Sequence, residues 1–264
     1  MPRIAARRST LGGMSLTVAP GAVVVITGAA SGIGRAAASV FAAAGASVLV
    51  ADMDATGAAA VAAALVAEGH RALAMRVDVT DPDHQRSMFE LAQQELGRVD
   101  YVLANAGIMT GAPDYPDAPP EQVARVVSVN LIGVMHTCQI ALPYLKASGG
   151  GSIVCTASTS ALAPMAGDPI YASTKAAVVH FVKSCAGWQE RHGVRINTIL
   201  PGMVDTPIVG KTGDGTTPAA WLKPALSALT MLRPEAIGQA MLELALDESA
   251  CGTAVSILNP EMQK

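Results

Sequence analysis

The chain has 264 residues, 51% of them apolar but only 3% aromatic, and a formal net charge of −3. That length suits one α/β domain with a large core, and the alanine- and valine-rich profile excludes a disordered chain. With no basic tract beyond Arg7-Arg8, nucleic acid is excluded as an expected partner, and no apolar run reads as a membrane span.

The start, residues 1–21, reads as an extension that is loosely ordered at its beginning. It carries Arg3, Arg7 and Arg8 but no apolar stretch of the kind a secretory signal needs. From residue 22 strand and helix alternate to the end. Strands are predicted at 22–27, 47–51, 72–77, 99–104, 151–157, 194–199 and 253–258. Helices are predicted near 32–44, 54–69, 81–97, 120–147, 169–192 and 233–247, with Asp81-Pro82 as a cap followed by proline at the first helical position. Such alternation implies a doubly wound parallel sheet with helices on both faces. Ligands then bind beyond the carboxyl ends of the strands, where the strand order reverses.

The first strand–turn–helix unit carries the first chemical signal. Val23 to Ile26 is β-branched, and Gly28, Gly32 and Gly34 follow before a run of alanines. A turn of this kind aims free backbone N–H groups at an anion, and side chains there would hold a pyrophosphate away. The spacing is G-x-x-x-G-x-G, and a plain strand-to-helix connection is the alternative reading. The next predicted strand ends in Asp52, where a carboxylate can accept from both ribose hydroxyls of an adenosine; a helix cap, shared with Asp54, is the alternative there. Loop and acid together point to a dinucleotide, and to NAD over NADP, because a carboxylate repels a 2′-phosphate.

Polar or glycine signals follow the later strands as well: Asp78-Val79, Asn105-Ala106-Gly107, Ser158-Thr159-Ser160 and Pro201-Gly202 through Thr206. Each is also ordinary turn chemistry. Tyr171 and Lys175, four residues apart at the start of a predicted helix, share one face. A lysine ammonium there stabilises a phenolate, and a nicotinamide cation would do so further, which lowers the tyrosine pKa from its usual value near ~10. The four cysteines, Cys138, Cys155, Cys185 and Cys251, lie far apart in sequence with no C-x-x-C pair, so free thiols and no metal are expected.

In order along the chain, Thr27-Gly-Ala-Ala-Ser-Gly-Ile-Gly34, Asn105-Ala-Gly107, Asn130, Ser158, Tyr171-Ala-Ser-Thr-Lys175 and Pro201-Gly202 resemble the motif set of the short-chain dehydrogenase/reductase family. The resemblance, to the compact branch, covers residues 22–206. It implies a single Rossmann-type domain over 22–264 with a seven-stranded parallel sheet, and an NAD-dependent oxidoreductase interconverting a secondary alcohol and its ketone. It also implies roles: Tyr171 as general acid/base, Ser158 as the group that orients the substrate oxygen, Lys175 on the nicotinamide ribose, and Asn130 in a water-linked proton relay. Thr27, Gly28, Ser31, Gly32, Ile33 and Gly34 would line the pyrophosphate. Asp52, Asp78, Val79, Asn105, Ala106 and Gly107 would serve the adenosine side. Pro201, Gly202 and Thr206 would meet the carboxamide end.

An NADP-preferring carbonyl reductase and a non-catalytic dinucleotide sensor are the alternatives, and the intact Ser158, Tyr171 and Lys175 argue against the sensor. The segment 203–230 is expected to cover the substrate, with Met165, Met203, Ile208 and Trp221 among the apolar lining. A small apolar alcohol or ketone is the expected partner, in a cytoplasmic homodimer or homotetramer built on helices 120–147 and 169–192. The C-terminal stretch is more similar to the 15-hydroxyprostaglandin dehydrogenase-type subgroup than to relatives that end in a glycine pair after the last strand.

Overall fold

The computed structural model describes residues 5–6, 16–213 and 215–263. The expected loose start of the chain falls on residues outside those described, apart from a two-residue strand, β1 (Ala5–Ala6). Residues 16–21 lead into the domain: Val18 is buried, and its N–H donates to the Ala44 carbonyl.

Seven parallel strands follow, as the alternation predicts: β2 (Val23–Thr27), β3 (Ser47–Asp52), β4 (Ala72–Arg76), β5 (Tyr101–Ala104), β6 (Gly151–Thr156), β7 (Val194–Pro201) and β8 (Ala254–Ile257). Their order is β8-β7-β6-β5-β2-β3-β4, and β1 adds an eighth strand outside β8. The order reverses between β2 and β5, so the crevice for a ligand opens above those two strands.

Both faces of the sheet are buried, which is why β2 is β-branched without a polar gap. Its Val24 and Ile26 pack under α1 (Gly32–Ala43), α2 (Ala55–Ala67) and α9 (Pro234–Leu246), against Phe41, Leu65 and Met241. Its Val23 and Val25 face the other layer, where α3 (Pro82–Leu91), α5 (Gly133–Ala147) and α6 (Pro169–Ser184) contribute Phe89, Leu145 and Val178. Asp81 caps α3 through the N–H groups of Asp83 and His84, and Asp54 caps α2 through that of Gly57.

Two long helices depart from the sequence reading. The predicted helix at 120–147 is α4 (Pro120–Val127) and α5 joined through a π turn over Ser128–Ile132, with Asn130 in the turn. The widened turn belongs to a class common at functional sites. The stretch 120–147 is also long and apolar enough to cross a membrane by length and composition, contrary to the sequence reading. Here it is a core helix, with Val126, Val134, Cys138, Ala141 and Leu145 buried in the domain. The predicted helix at 169–192 breaks instead into α6 and α7 (Trp188–His192), because the chain turns at Cys185–Gly187 and Gly187 is a poor helix former. Within 203–230 a short helix, α8 (Lys223–Ala228), had no sequence signal.

Candidate active site

The glycine turn has the close fit its sequence implies. Gly28 has φ +66°, and a Cβ there would sit 2.7 Å from the Ala106 Cα. A Cβ on Gly34 would lie 2.2 Å from the Gly28 carbonyl oxygen. The first turn of α1, Gly32-Ile33-Gly34-Arg35, carries no acid, so its free N–H groups offer an uncompensated anion site. At the end of β3, the Asp52 carboxylate accepts from Ala30 N and Asp54 N, both at 2.9 Å. The acid is therefore fixed against the glycine turn, one position before the exposed Met53.

A cavity of about 1040 Å³ runs from Asp52 and Asp78 across the turn to Ser158, Tyr171 and Lys175. Of the residues read from sequence, Gly28, Ser31, Gly32, Ile33, Val79, Asn105, Ala106, Gly107, Pro201, Gly202 and Thr206 line it, as do Met165, Met203, Ile208 and Trp221. A volume of this size admits a dinucleotide with a small substrate beside it. With free N–H groups at the turn in its middle and the Asp52 carboxylate at one end, the residues fit a nicotinamide dinucleotide.

Three of the expected site residues stand behind the wall instead. Thr27 is 1% exposed, and its hydroxyl accepts from Asn105 N and Ala106 N, so it locks β2 to the end of β5 rather than lining the pyrophosphate. Gly34 serves packing under the turn. Asn130 is fully buried; its carboxamide accepts from Ile108 N and donates to Ile108 O, both at 2.8 Å, and donates again to Thr174 Oγ1. It pins the segment after Gly107. A Cβ on Gly107 would lie 3.1 Å from Lys175 Nζ and 3.4 Å from Asn130 Oδ1, so bare backbone separates the two groups.

Lys175 is 2% exposed and donates to the Thr156 carbonyl at 2.9 Å, with Nζ 5.5 Å from the Tyr171 ring centre. Burial pushes its pKa down to about 8, with only a small opposing effect from Cys155. Burial pushes Tyr171 up to about 12, against the lowering effect of its hydrogen bond with Ser158 and with help from the Asp168 charge. In the free chain the lysine bonds to Thr156 rather than to the phenol, and its own charge is weakened by burial.

The lysine shift has a stability consequence. Between about 8 and 10.5 the unfolded chain holds a proton on Lys175 that the folded chain does not, so folded stability rises with pH across that window. The ceiling is about 3 kcal/mol at ~1.4 kcal/mol per pKa unit. Lys175→Met is expected to flatten this rise, gaining on wild type most below pH 8. Urea unfolding of both proteins at pH 7 and pH 9.5 checks it, and an unchanged pH dependence in the variant would refute the burial argument.

One structural partner was not picked out from sequence. Asp168 is 3% exposed and caps α6 by accepting from Tyr171 N at 3.0 Å, while Thr110 donates to it through both N–H and hydroxyl. It ties the loop after Gly107 to the helix that carries Tyr171. The signal was present, since Asp168-Pro169 repeats the Asp81-Pro82 cap pattern. Nor did spacing reveal that Cys138 and Cys155 meet at 3.6 Å between their sulfurs; all four cysteines are free thiols.

A family model described as short chain dehydrogenase matches residues 22–216. The chain belongs to the short-chain dehydrogenase/reductase family. That makes it an oxidoreductase acting on CH–OH groups with a nicotinamide dinucleotide. The chain is 37% identical over 234 residues to a cis-4-hydroxycyclohexanecarboxylate dehydrogenase of Sinomonas cyclohexanicum, covering 86% of this chain and 90% of the relative. It is 33% identical over 189 residues to a cyclohexanol dehydrogenase of Acinetobacter sp. (strain SE19), covering 72% and 75%. Among short-chain dehydrogenase/reductase structures it is similar to a 7α-hydroxysteroid dehydrogenase complexed with NADH and 7-oxo glycochenodeoxycholic acid. The TM-score is 0.82 at 29% identity, with 90% of this chain and 93% of that one covered.

Proposed function

We propose that the protein is an NAD-dependent dehydrogenase of cyclic secondary alcohols, working reversibly on their ketones. The observation that carries the reading is the continuity of one cavity, from the Asp52 carboxylate past the glycine turn to Ser158, Tyr171 and Lys175. Apolar Met165, Met203, Ile208 and Trp221 at the far end suit a ring, and two relatives are named for ring alcohols.

In this reading Tyr171 takes the hydroxyl proton as the alcohol is oxidised and returns it in reduction, while Ser158 holds the same oxygen by hydrogen bond. A nicotinamide dinucleotide bound here would supply the hydride acceptor or donor and, when oxidised, a positive ring. Lys175 holds the ribose and adds positive charge beside the phenol. Both charges oppose the burial that raises the Tyr171 pKa. Asn130, which fixes the backbone between itself and Lys175, supports the proton path.

Asp52 supports NAD through its charge at the ribose position. One observation favours the NADP alternative: Arg76 is the register partner of Asp52, and it reaches Met53 Sδ at 3.2 Å. Arg76 is not among the lining residues, so the acid faces the cavity without it. Steady-state oxidation of a cyclic alcohol with each cofactor decides the point. NAD is expected to be preferred, and Asp52→Ala to narrow that preference; a wild-type preference for NADP would overturn the assignment.

Residues 1–21 are taken as an extension and 22–264 as one catalytic domain, in a cytoplasmic protein. Two or four copies are proposed to assemble along the helices at 120–147 and 169–192.

A further inference from the structure

We propose that Asp168 is a positioning residue for the reaction, holding Tyr171 at a fixed distance from the cavity wall at Ile108 and Met109; the idea rests on the reading of Tyr171 as the acid/base group. The starting point is a carboxylate with more bonds than a helix cap uses. It accepts from Tyr171 N at 3.0 Å, which caps α6, and also from Thr110 N at 2.9 Å and Thr110 Oγ1 at 2.6 Å.

The other aspartate caps show what is unusual here. Asp54 and Asp81 cap α2 and α3 with carboxylates open to solvent, and each accepts only from the first turn of its own helix. Asp168 is 3% exposed, and two of its three bonds go to a segment 58 residues away. Burying a carboxylate is costly unless its oxygens are bonded, and a cap alone does not call for it.

The bonds close a ring around Tyr171. Its N–H leads through Asp168 to Thr110. Its carbonyl accepts from Thr174 Oγ1 at 2.7 Å, that oxygen accepts from Asn130 Nδ2 at 3.2 Å, and Asn130 holds both backbone groups of Ile108. Both backbone groups of the tyrosine therefore lead to one short segment, 108–110. Thr110 is fixed from a third side, because its carbonyl accepts from Gln122 Nε2 on α4. Thr110, Asn130 and Thr174 are buried, so water does not compete for these bonds. Ile108, Met109 and Tyr171 all line the cavity. The ring thus sets the separation between the turn that carries the phenol and the wall at Ile108 and Met109. Misplacing a reacting group by about 1 Å costs on the order of 10²-fold in rate.

Asp168→Asn separates the two roles. Asparagine caps a helix as well as aspartate and still accepts from Tyr171 N, but its amide nitrogen cannot accept from Thr110. With cyclohexanol and NAD, kcat is expected to fall on the order of 10²-fold, while the Kd for NAD and the Tm stay near wild type. Thr110→Val breaks the same link from its other end and should lower kcat on the order of tenfold, and the double variant should lose no more than Asp168→Asn alone. Rates are taken per NAD-binding site, so unfolded protein does not count. Wild-type kcat in Asp168→Asn, or losses that multiply in the double variant, overturns the proposal and leaves Asp168 a cap. Where Asp168→Asn does not fold, Thr110→Val decides, and wild-type kcat there overturns it. If the wild type oxidises no alcohol, the reading of the reaction fails separately and amide hydrogen exchange decides. The Thr110 amide should then exchange on the order of tenfold faster in Asp168→Asn while that of Tyr171 keeps its rate, and an unchanged Thr110 amide overturns the proposal.

Discussion

Tyr171→Phe is expected to lower alcohol turnover by on the order of 10²–10⁴-fold, the range that general acid/base catalysis supplies, while nicotinamide dinucleotide binding persists. The substitution keeps the ring against its neighbours and removes only the ionisable oxygen, which hydrogen-bonds with Ser158. Ser158→Ala should also cost turnover with little change in cofactor affinity. Lys175→Ala should damage both, because the lysine faces the cavity and stands beside the phenol.

The pH profile carries a sharper statement. In the free chain burial pushes Tyr171 up to about 12, so an enzyme working on that hydroxyl alone would need strongly alkaline solution. With the oxidised cofactor bound, two positive charges would act on the phenol, and kcat for oxidation should rise through a single ionisation well below the ~10 of free tyrosine. Measuring kcat and kcat/KM against pH for wild type and the phenylalanine variant, beside a fluorescence titration with NAD, tests each part. Near-normal turnover in Tyr171→Phe would make the tyrosine structural and send the proton through another group.

The sheet was legible because its signal is local and repeated. Short β-branched runs buried on both faces alternate with alanine-rich helices, and right-handed crossovers leave little freedom in how they assemble. Cavity-lining residues such as Gly28, Asp52, Asn105, Ser158 and Pro201 come together because they lie at or just past strand ends that converge, while Tyr171 and Lys175 reach the cavity from α6. What the sequence hid were contacts made across long separations. Asn130 is 22 residues from Ile108, and its carboxamide serves that backbone. Asp168 is 58 residues from Thr110.

Y-x-x-x-K spacing says that two side chains share a face, and nothing about which group each one bonds. Here Lys175 turns to Thr156 O. The tail was equally hidden. Asn259, fully buried, accepts from Met203 N and donates to Met203 O and Thr230 O, while Glu261 accepts from the Thr230 hydroxyl. The last residues thus clamp both ends of the 203–230 segment, and Met262 reaches the cavity itself.

Gly34→Ala is expected to abolish measurable cofactor binding while the fold survives at lower stability. The added methyl would meet the Gly28 carbonyl oxygen at 2.2 Å, Asn105 Nδ2 at 2.7 Å and Ala29 Cα at 2.9 Å. Two of those atoms are backbone of the glycine turn, so relief requires moving the turn itself. The third belongs to a side chain already fixed by Thr27 O and Gly28 O. Overpacking of this kind costs about 1–3 kcal/mol, and a shift in the turn would misdirect the N–H groups proposed to hold the pyrophosphate.

Gly149→Ala is the useful comparison: Gly149 has φ +92° with nothing within 4 Å of a Cβ, so alanine there strains the backbone far from the cavity. Both variants should unfold at lower temperature than wild type, but only Gly34→Ala should lose the calorimetric titration with NAD. Wild-type affinity in Gly34→Ala would show that the turn yields without cost to the ligand, and the anion site would then have to lie elsewhere on the cavity wall.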